Sequence, residues 1–350
     1  MTRTTKGADH GTNVGLRLAR AIGRRFAFAF AVVFAVTTLT FVVNNVLPTD
    51  PARMVAGAQA RPADVARIRT QLGLDRPLPE RYVAFLRRLV HGATSTHASA
   101  KDHANCATLG PVHVDLDRSY QRRRPVATIL GERLPRSLVL ATAAIVVQLV
   151  VGAGLGILAA SRARRPADTG LVLGSTLLVS VPTFVLGVAL QYLLAVRLRL
   201  VPTDGFGRTE GDHAVAVILP ALTLGIFGAA FYVRFVREEV LAEIRHDYVR
   251  TARAKGAGAF AVLFRHAFRN TAVPLVTSLG MDFGTLVAGA VVTETLFRYP
   301  GIGELMSRAV LDRDGPVLMG TVLVASIAVV VASMLVDAIV LVLDPRLRSR

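Results

Sequence analysis

The sequence predicts an all-α, polytopic membrane protein with six transmembrane helices, and three observations carry that prediction. Of 350 residues, 52% are hydrophobic and the mean hydropathy is +0.49, too apolar for a soluble domain whose surface must be polar and charged. Six apolar runs, at 26–47, 138–160, 171–194, 214–233, 273–296 and 317–343, are each long enough to cross about 30 Å of hydrocarbon at about 1.5 Å per residue. The basic residues fall in short blocks between those runs. Six core helices of a soluble protein would need far more polar chain to cover them.

A net charge of +17 and a pI near 11.3 would point to nucleic acid in a soluble protein. Here the blocks are topogenic, and no nucleic-acid partner is expected. Lysine occurs only as Lys6, Lys101 and Lys255, so arginine supplies 38 of the 41 basic residues. Cytoplasmic loops hold the excess of Arg and Lys. Lys6, Arg17, Arg20, Arg24 and Arg25 precede the first run, SRARRPAD follows the second, a basic loop follows the fourth, and DPRLRSR ends the chain. All four lie on one side, so both termini are placed in the cytoplasm. The intervening loops, 48–137, 197–213 and 298–316, mix Arg with Asp and Glu.

Residues 1–25 are read as a cytoplasmic N-terminal segment, followed by the first transmembrane helix at 26–47. That run is too long for a signal-peptide core and lacks a small-residue cleavage site, which makes it an uncleaved anchor. Residues 48–123 form an external loop. Pro62 suits a helix start, Val65, Ile68 and Leu72 recur at helical spacing, and a second amphipathic segment, 80–90, stops at Gly92. From 93 to 113 the composition turns to Ser, Thr, Ala, His and Asp without periodicity, as in a mobile insert. His97, His103, Cys106 and His113 lie there; their spacing fits no standard zinc pattern, and solvated loop residues are the better reading. A single cysteine excludes an internal disulfide. Residues 124–344 hold the remaining spans and a long cytoplasmic loop at 237–272, and 345–350 form a cytoplasmic tail.

Several chemistries have no support. None of the three lysines follows a glycine-rich phosphate-binding turn, and no HExxH or GxSxG occurs, so the chain is not expected to be an enzyme or to bind a metal. An ion-coupled transporter places ionisable groups near the bilayer midplane. The first three spans have none there, although Gln148 and Gln191 are polar; the acids within predicted spans are Asp282, Asp337 and Glu294, the last at the outer, water-near end of the fifth.

The loop after the fourth span reads EEVLAEIRHDYVRTARAKGAGAFAVLFRHAFRNTAVPLV, as two helices broken at a glycine. Tyr248, Val249 and Ala252 cluster at helical spacing, Arg250 and Arg253 point elsewhere, and Gly256 and Gly258 supply turn freedom. A short helix of this kind can seat in a groove of another protein, or lie on anionic lipid. The residues alone leave both readings open.

YVRTARAKG, followed by RHAFRN and Pro274, resembles the "EAA" loop of dipeptide, oligopeptide and nickel permease subunits of ABC importers. LPTDPARMVAG, QLGLDRPLPERY, RPVATILGERLPRSL, TETLFRYPGIGEL and VLDPRLR resemble blocks of the same family in the same order. The resemblance implies a type I ABC importer permease fold in the bacterial plasma membrane. It implies a coupling loop that docks into an ATP-binding subunit, carried here by Tyr248, Arg250, Thr251, Ala252, Arg253, Lys255 and Gly256, with Arg250 where the general motif has Glu. The implied partners are a second homologous permease, two ATP-binding subunits that use ATP and Mg, an extracytoplasmic solute-binding protein, and the lipid bilayer. The chain itself would bind no cofactor. Dipeptides or oligopeptides are the leading cargo, with nickel or another small solute as the alternative and ion-coupled transport a distant third. The stretch VDLDRSY departs from the family's GDLGxS-like pattern, after an insert that is read as a tolerated surface insertion. Asp282, about 13 Å into the fifth span by the helical rise, should face the bundle interior or a water-filled passage. It is read as a structural, hydrogen-bonded acid, or as an attractor of cationic cargo in the translocation path.

Overall fold

The computed structural model describes residues 8–46, 51–57, 59–92, 106–109, 112–203, 205–207 and 209–343. The first helix, α1 (Ala8–Val46), is one element, so the basic segment before the apolar run is helical from Ala8. Two small helices follow, α2 (Pro51–Ala56) and α3 (Pro62–Gln71). Pro62 occupies the first turn of α3 behind an extended Arg61, where its missing N–H has no intrahelical partner to lose. Next comes α4 (Leu78–Leu89), amphipathic as its spacing requires. Its Tyr82 and Phe85 rings stand 5.2 Å from Phe41 of α1, and the Tyr82 hydroxyl meets Thr38 at 2.6 Å. Helix α4 is thereby seated on the first span.

The stretch expected to lack structure between 93 and 113 does not lack it throughout. Strands β1 (Val90–Gly92), β2 (Cys106–Leu109) and β3 (Val112–Asp115) form an antiparallel sheet in the order β1-β3-β2. Val90 faces Val114, and Cys106 faces Asp115. The period-2 signal was too short to read, because each strand has three or four residues. His97 and His103 lie outside the described residues, and among those described no three metal-ligating side chains gather.

The second span is longer than its apolar run. Helix α5 (Val126–Val147) passes through a π-helical turn, Gln148–Ala153, into α6 (Gly154–Ser161), a continuous 36-residue helix. The third predicted span is broken. Helices α7 (Pro166–Ser180) and α8 (Thr183–Leu190), the latter continued by a π-helical Gln191–Arg197, meet at 103°. Pro182 disfavours the helical region for the preceding residue, and Val181 is extended (φ −82°, ψ 126°). The fourth span lies in α9 (Glu210–Ala216) and α10 (Ile218–Glu243). After it come α11 (Asp247–Ala254), the single turn α12 (Ala259–Ala261), a π-helical Val262–Phe268 and α13 (Arg269–Gly289). The fifth predicted span, to 296, is interrupted at Gly289 (φ 127°) and continues as α14 (Val291–Leu296), then α15 (Ile302–Leu311) and α16 (Gly315–Leu343). Among the described residues five helices are long and apolar enough to cross a membrane, or six when the bent α7–α8 pair counts as one span.

Helix α10 is the hub: it packs against α5, α6, α7 and α8, while α13 lies along α16. Close approach depends on glycine. A Cβ on Gly152 would lie 2.6 Å from the Cβ of Tyr232, and one on Gly156 would lie 2.9 Å from the carbonyl oxygen of Val233. Gly154 has open space and plays no such part. Helices α1 and α16 run antiparallel: Arg25 pairs with Asp337 at 2.6 Å near one end, and Asn44 abuts Gly315 at the other.

Candidate functional site

The loop singled out by its sequence folds as α11 and its caps, and every candidate residue except Asp282 lies in it. Helix α10 stops at Glu243, and an extended His246 (φ −67°, ψ 149°) turns the chain into α11. Val249, wholly buried, is the apolar anchor of the short helix, which rests on the π-helical segment after Gly258. Tyr248 braces the turn: its hydroxyl donates to Glu243 of α10 and accepts from Asn270 Nδ2 of α13 at 2.8 Å. Partial burial and the Glu243 hydrogen bond push the Tyr248 phenol up to about 12, so it stays a neutral donor at any physiological pH. The opposite face of α11 is turned to solvent. Arg250, Thr251 and Arg253 are exposed there, followed by Lys255 and Gly256, with Ala252 half-buried. Thr251 returns its hydroxyl to the Asp247 carbonyl at 3.0 Å, and Arg250 pairs with Asp247 at 3.4 Å.

The helix ends in a Schellman cap. The Ala257 N–H donates to the Ala252 carbonyl at 3.0 Å and the Gly256 N–H to the Arg253 carbonyl at 2.9 Å, the two bonds that define the motif. Gly256 has φ +87°, a conformation that residues with a Cβ rarely adopt, and a Cβ there would meet nothing within 4 Å. The glycine is required by the backbone, not by crowding. The outcome is a short, stiff, basic helix braced to both α10 and α13, with its outer face free of intramolecular packing.

Three polar clusters elsewhere in the bundle have contacts that spacing in the sequence does not announce. Asp168 at the start of α7 is buried and receives both Nε and Nη2 of Arg237 from α10, at 2.6 and 2.8 Å, together with the Arg164 N–H at 2.9 Å. The clamp ties α7 to the same helix that carries α11. Glu294 was expected near water; it is instead wholly buried, because the chain after Ala290 folds under α15. Its carboxylate accepts from Ser137 at 3.3 Å and from the Glu304 N–H at 2.8 Å, while Ser137 accepts the Ile302 N–H at 2.8 Å. Glu304 in turn pairs with Arg133 at 3.1 Å and with Arg308. The third cluster belongs to the divergent VDLDRSY stretch. Asp314, buried between α15 and α16, accepts the Ser119 hydroxyl and the Tyr120 N–H, the latter at 3.2 Å. These acids are 60 to 200 positions from most of their partners, so spacing gave no signal.

Asp282 stands apart from the loop, within α13. The buried Tyr232 of α10 donates its hydroxyl to the Asp282 carboxylate at 2.8 Å, across the interface between the two spans.

Residues 18–141 match the family model "Binding-prot-dependent transport system membrane comp, N-term", and residues 152–349 match "Binding-protein-dependent transport system inner membrane component". A putative peptide transport system permease protein of Brucella abortus is 36% identical over 328 residues, covering 93% of this chain and 98% of the relative. A probable peptide ABC transporter permease protein of Sinorhizobium fredii is 34% identical, covering 93% and 98%. The glutathione transport system permease protein of Escherichia coli O6:H1 is 33% identical, covering 91% and 95%. In fold, the chain is similar to the MetNI methionine ABC transporter in an inward-facing conformation, with a TM-score of 0.52 at 18% identity over 63% of this chain and 98% of that one. The chain belongs to the family of inner-membrane components of binding-protein-dependent transport systems, the non-catalytic permease subunits of type I ABC importers.

Proposed function

We propose that this chain forms one half of the translocation pore of an ATP-driven importer for dipeptides or oligopeptides, with a homologous permease as the other half. Two ATP-binding subunits, using ATP and Mg, and an extracytoplasmic solute-binding protein complete the assembly. Both termini lie in the cytoplasm, as the Arg and Lys asymmetry requires. The peptide assignment is supported by relatives named for peptide and glutathione transport; none of those names favours nickel.

The single observation that carries the mechanism is the capped, basic α11, braced to two spans and bare on its outer face. When ATP closes the ATP-binding pair, a helix seated in that pair moves with it. Glu243 and Asn270, through Tyr248, pass the displacement to α10 and α13, and the Arg237–Asp168 clamp carries it on to α7. The spans then swing as packed bodies between inward-open and outward-open arrangements.

Crosslinking tests this seat. With Cys106→Ser as background, Arg253→Cys should crosslink to the co-purified ATP-binding subunit through a thiol–amine reagent, and Arg118→Cys at the opposite end should not. Labelling of Arg253→Cys by a lipid-dissolved reagent alone would place α11 on the membrane surface and remove it from coupling.

A further inference from the structure

At the end of the bundle opposite α11, the last turn of α1, the corner between α3 and α4, and residues 117–120 enclose a cleft of about 330 Å³. Its lining is strongly cationic. Arg76, Arg81 and Arg88 face it, and Asp117 is the one carboxylate among the described lining residues. Arg88 takes up that carboxylate at 3.0 Å, whereas Arg81 donates to the neutral amide oxygen of Asn45. Two positive charges therefore stand without a matching acid in the lining. Burial, reinforced by Asp117, pushes the Tyr120 phenol up to about 12, so the hydroxyl at the cleft is a donor at neutral pH. Guanidiniums with a phenol donor form a receptor for an oxyanion.

The position of the cleft selects among oxyanions. One wall is the end of the apolar span Gly23–Asn45, little of which is buried inside the protein; α1 packs along α16 on one side and leaves apolar side chains such as Phe28, Phe30 and Leu39 exposed for lipid. That span ends at Asn45, where hydrocarbon gives way to headgroups. The aromatic ring of Phe41, stacked against Phe85 of α4, supplies an apolar floor next to the charges. An oxyanion with an attached acyl chain can enter sideways from the bilayer, chains along α1 and headgroup among the arginines.

We propose that this cleft binds the phosphodiester headgroup of an anionic phospholipid of the outer leaflet and so pins the external α3–α4 pair to the membrane surface. The site is separate from α11 and its test does not depend on transport. Two basic groups near a membrane surface, at about 1 kcal/mol each, correspond to about thirtyfold in retention.

The test uses the assembled importer, purified in detergent and examined by native mass spectrometry after addition of phosphatidylglycerol or phosphatidylcholine at equal concentration. Wild type should retain phosphatidylglycerol preferentially, and Arg76→Gln with Arg81→Gln should bring retention down to the phosphatidylcholine level. Arg76 is exposed in the turn between helices, so Arg76→Gln alone should lower retention severalfold with an unchanged melting temperature, even if the Arg81 variant loses its fold. Equal retention by wild type and the single variant overturns the proposal. So does displacement of the lipid by a dipeptide, which would make the cleft a cargo site, or by inorganic phosphate, which would make it a site for any free anion.

Discussion

Replacing Gly256 by valine should uncouple ATP hydrolysis from transport while leaving the protein in the membrane. Gly256 has φ +87°, and no atom lies within 4 Å of where a Cβ would sit, so the whole effect comes from the backbone. A left-handed conformation costs a residue with a Cβ about 1–2 kcal/mol, and a β-branched side chain raises this toward about 3 kcal/mol. If the turn relaxes instead, it gives up the two capping bonds to Ala252 and Arg253, at about 1 kcal/mol each. The strained route disfavours the capped helix by about a hundredfold and the relaxed route by about thirtyfold. The assay is ATP-dependent uptake and stimulated ATPase activity in proteoliposomes, measured on Gly256→Asn, Gly256→Ala and Gly256→Val. Asparagine tolerates the left-handed region, so uptake should fall in the order Gly, Asn, Ala, Val, with valine near zero. Asparagine failing as badly as valine would mean that side-chain size at an interface matters more than φ. Valine transporting normally would take this glycine out of the mechanism.

Asp168→Asn should strip the charge from the buried clamp on Arg237. Breaking one partner of such a pair costs about 3 kcal/mol, so the melting temperature of the purified complex should drop and uptake with it; an unchanged melting temperature would show that the clamp is not holding α7 to α10. Asp282→Asn keeps shape and the bond from Tyr232 but removes the acid. The hydrogen-bonded, interhelical position favours the structural reading, for which uptake of cationic and neutral peptides changes equally; a selective loss of cationic peptides would give the carboxylate a role in guiding cargo.

Much of this architecture was legible in the sequence because lipid imposes a simple rule. A spanning segment must be apolar for its whole length and must satisfy its backbone internally, so runs such as 317–343 can only be helices. The α11 loop was legible for a different reason: Tyr248 to Gly256 combine helical periodicity with a glycine at the stop. Breaks inside apolar runs were harder. Pro182 sits within an uninterrupted hydropathy peak, and a window that averages hydropathy passes over the 103° bend it causes. The same averaging hid Gly289, after which Glu294 leaves the expected water-near position for full burial. Long-range acids were illegible altogether. The contacts of Asp168 with Arg237, of Glu294 with Ser137 and of Asp314 with Ser119 exist only once spans distant in sequence have packed.

Transport by this chain is expected to be driven through the ATP-binding subunits, not by chemistry or an ion gradient of its own. The direct measurement is uptake of a labelled dipeptide into proteoliposomes holding this chain, its homologous permease and the ATP-binding subunits, with the solute-binding protein outside and ATP inside. Accumulation should require ATP and the ATP-binding subunits, and should persist when ionophores collapse every ion gradient. Accumulation driven by an imposed ion gradient, with the ATP-binding subunits absent, would show instead that the chain is an ion-coupled transporter.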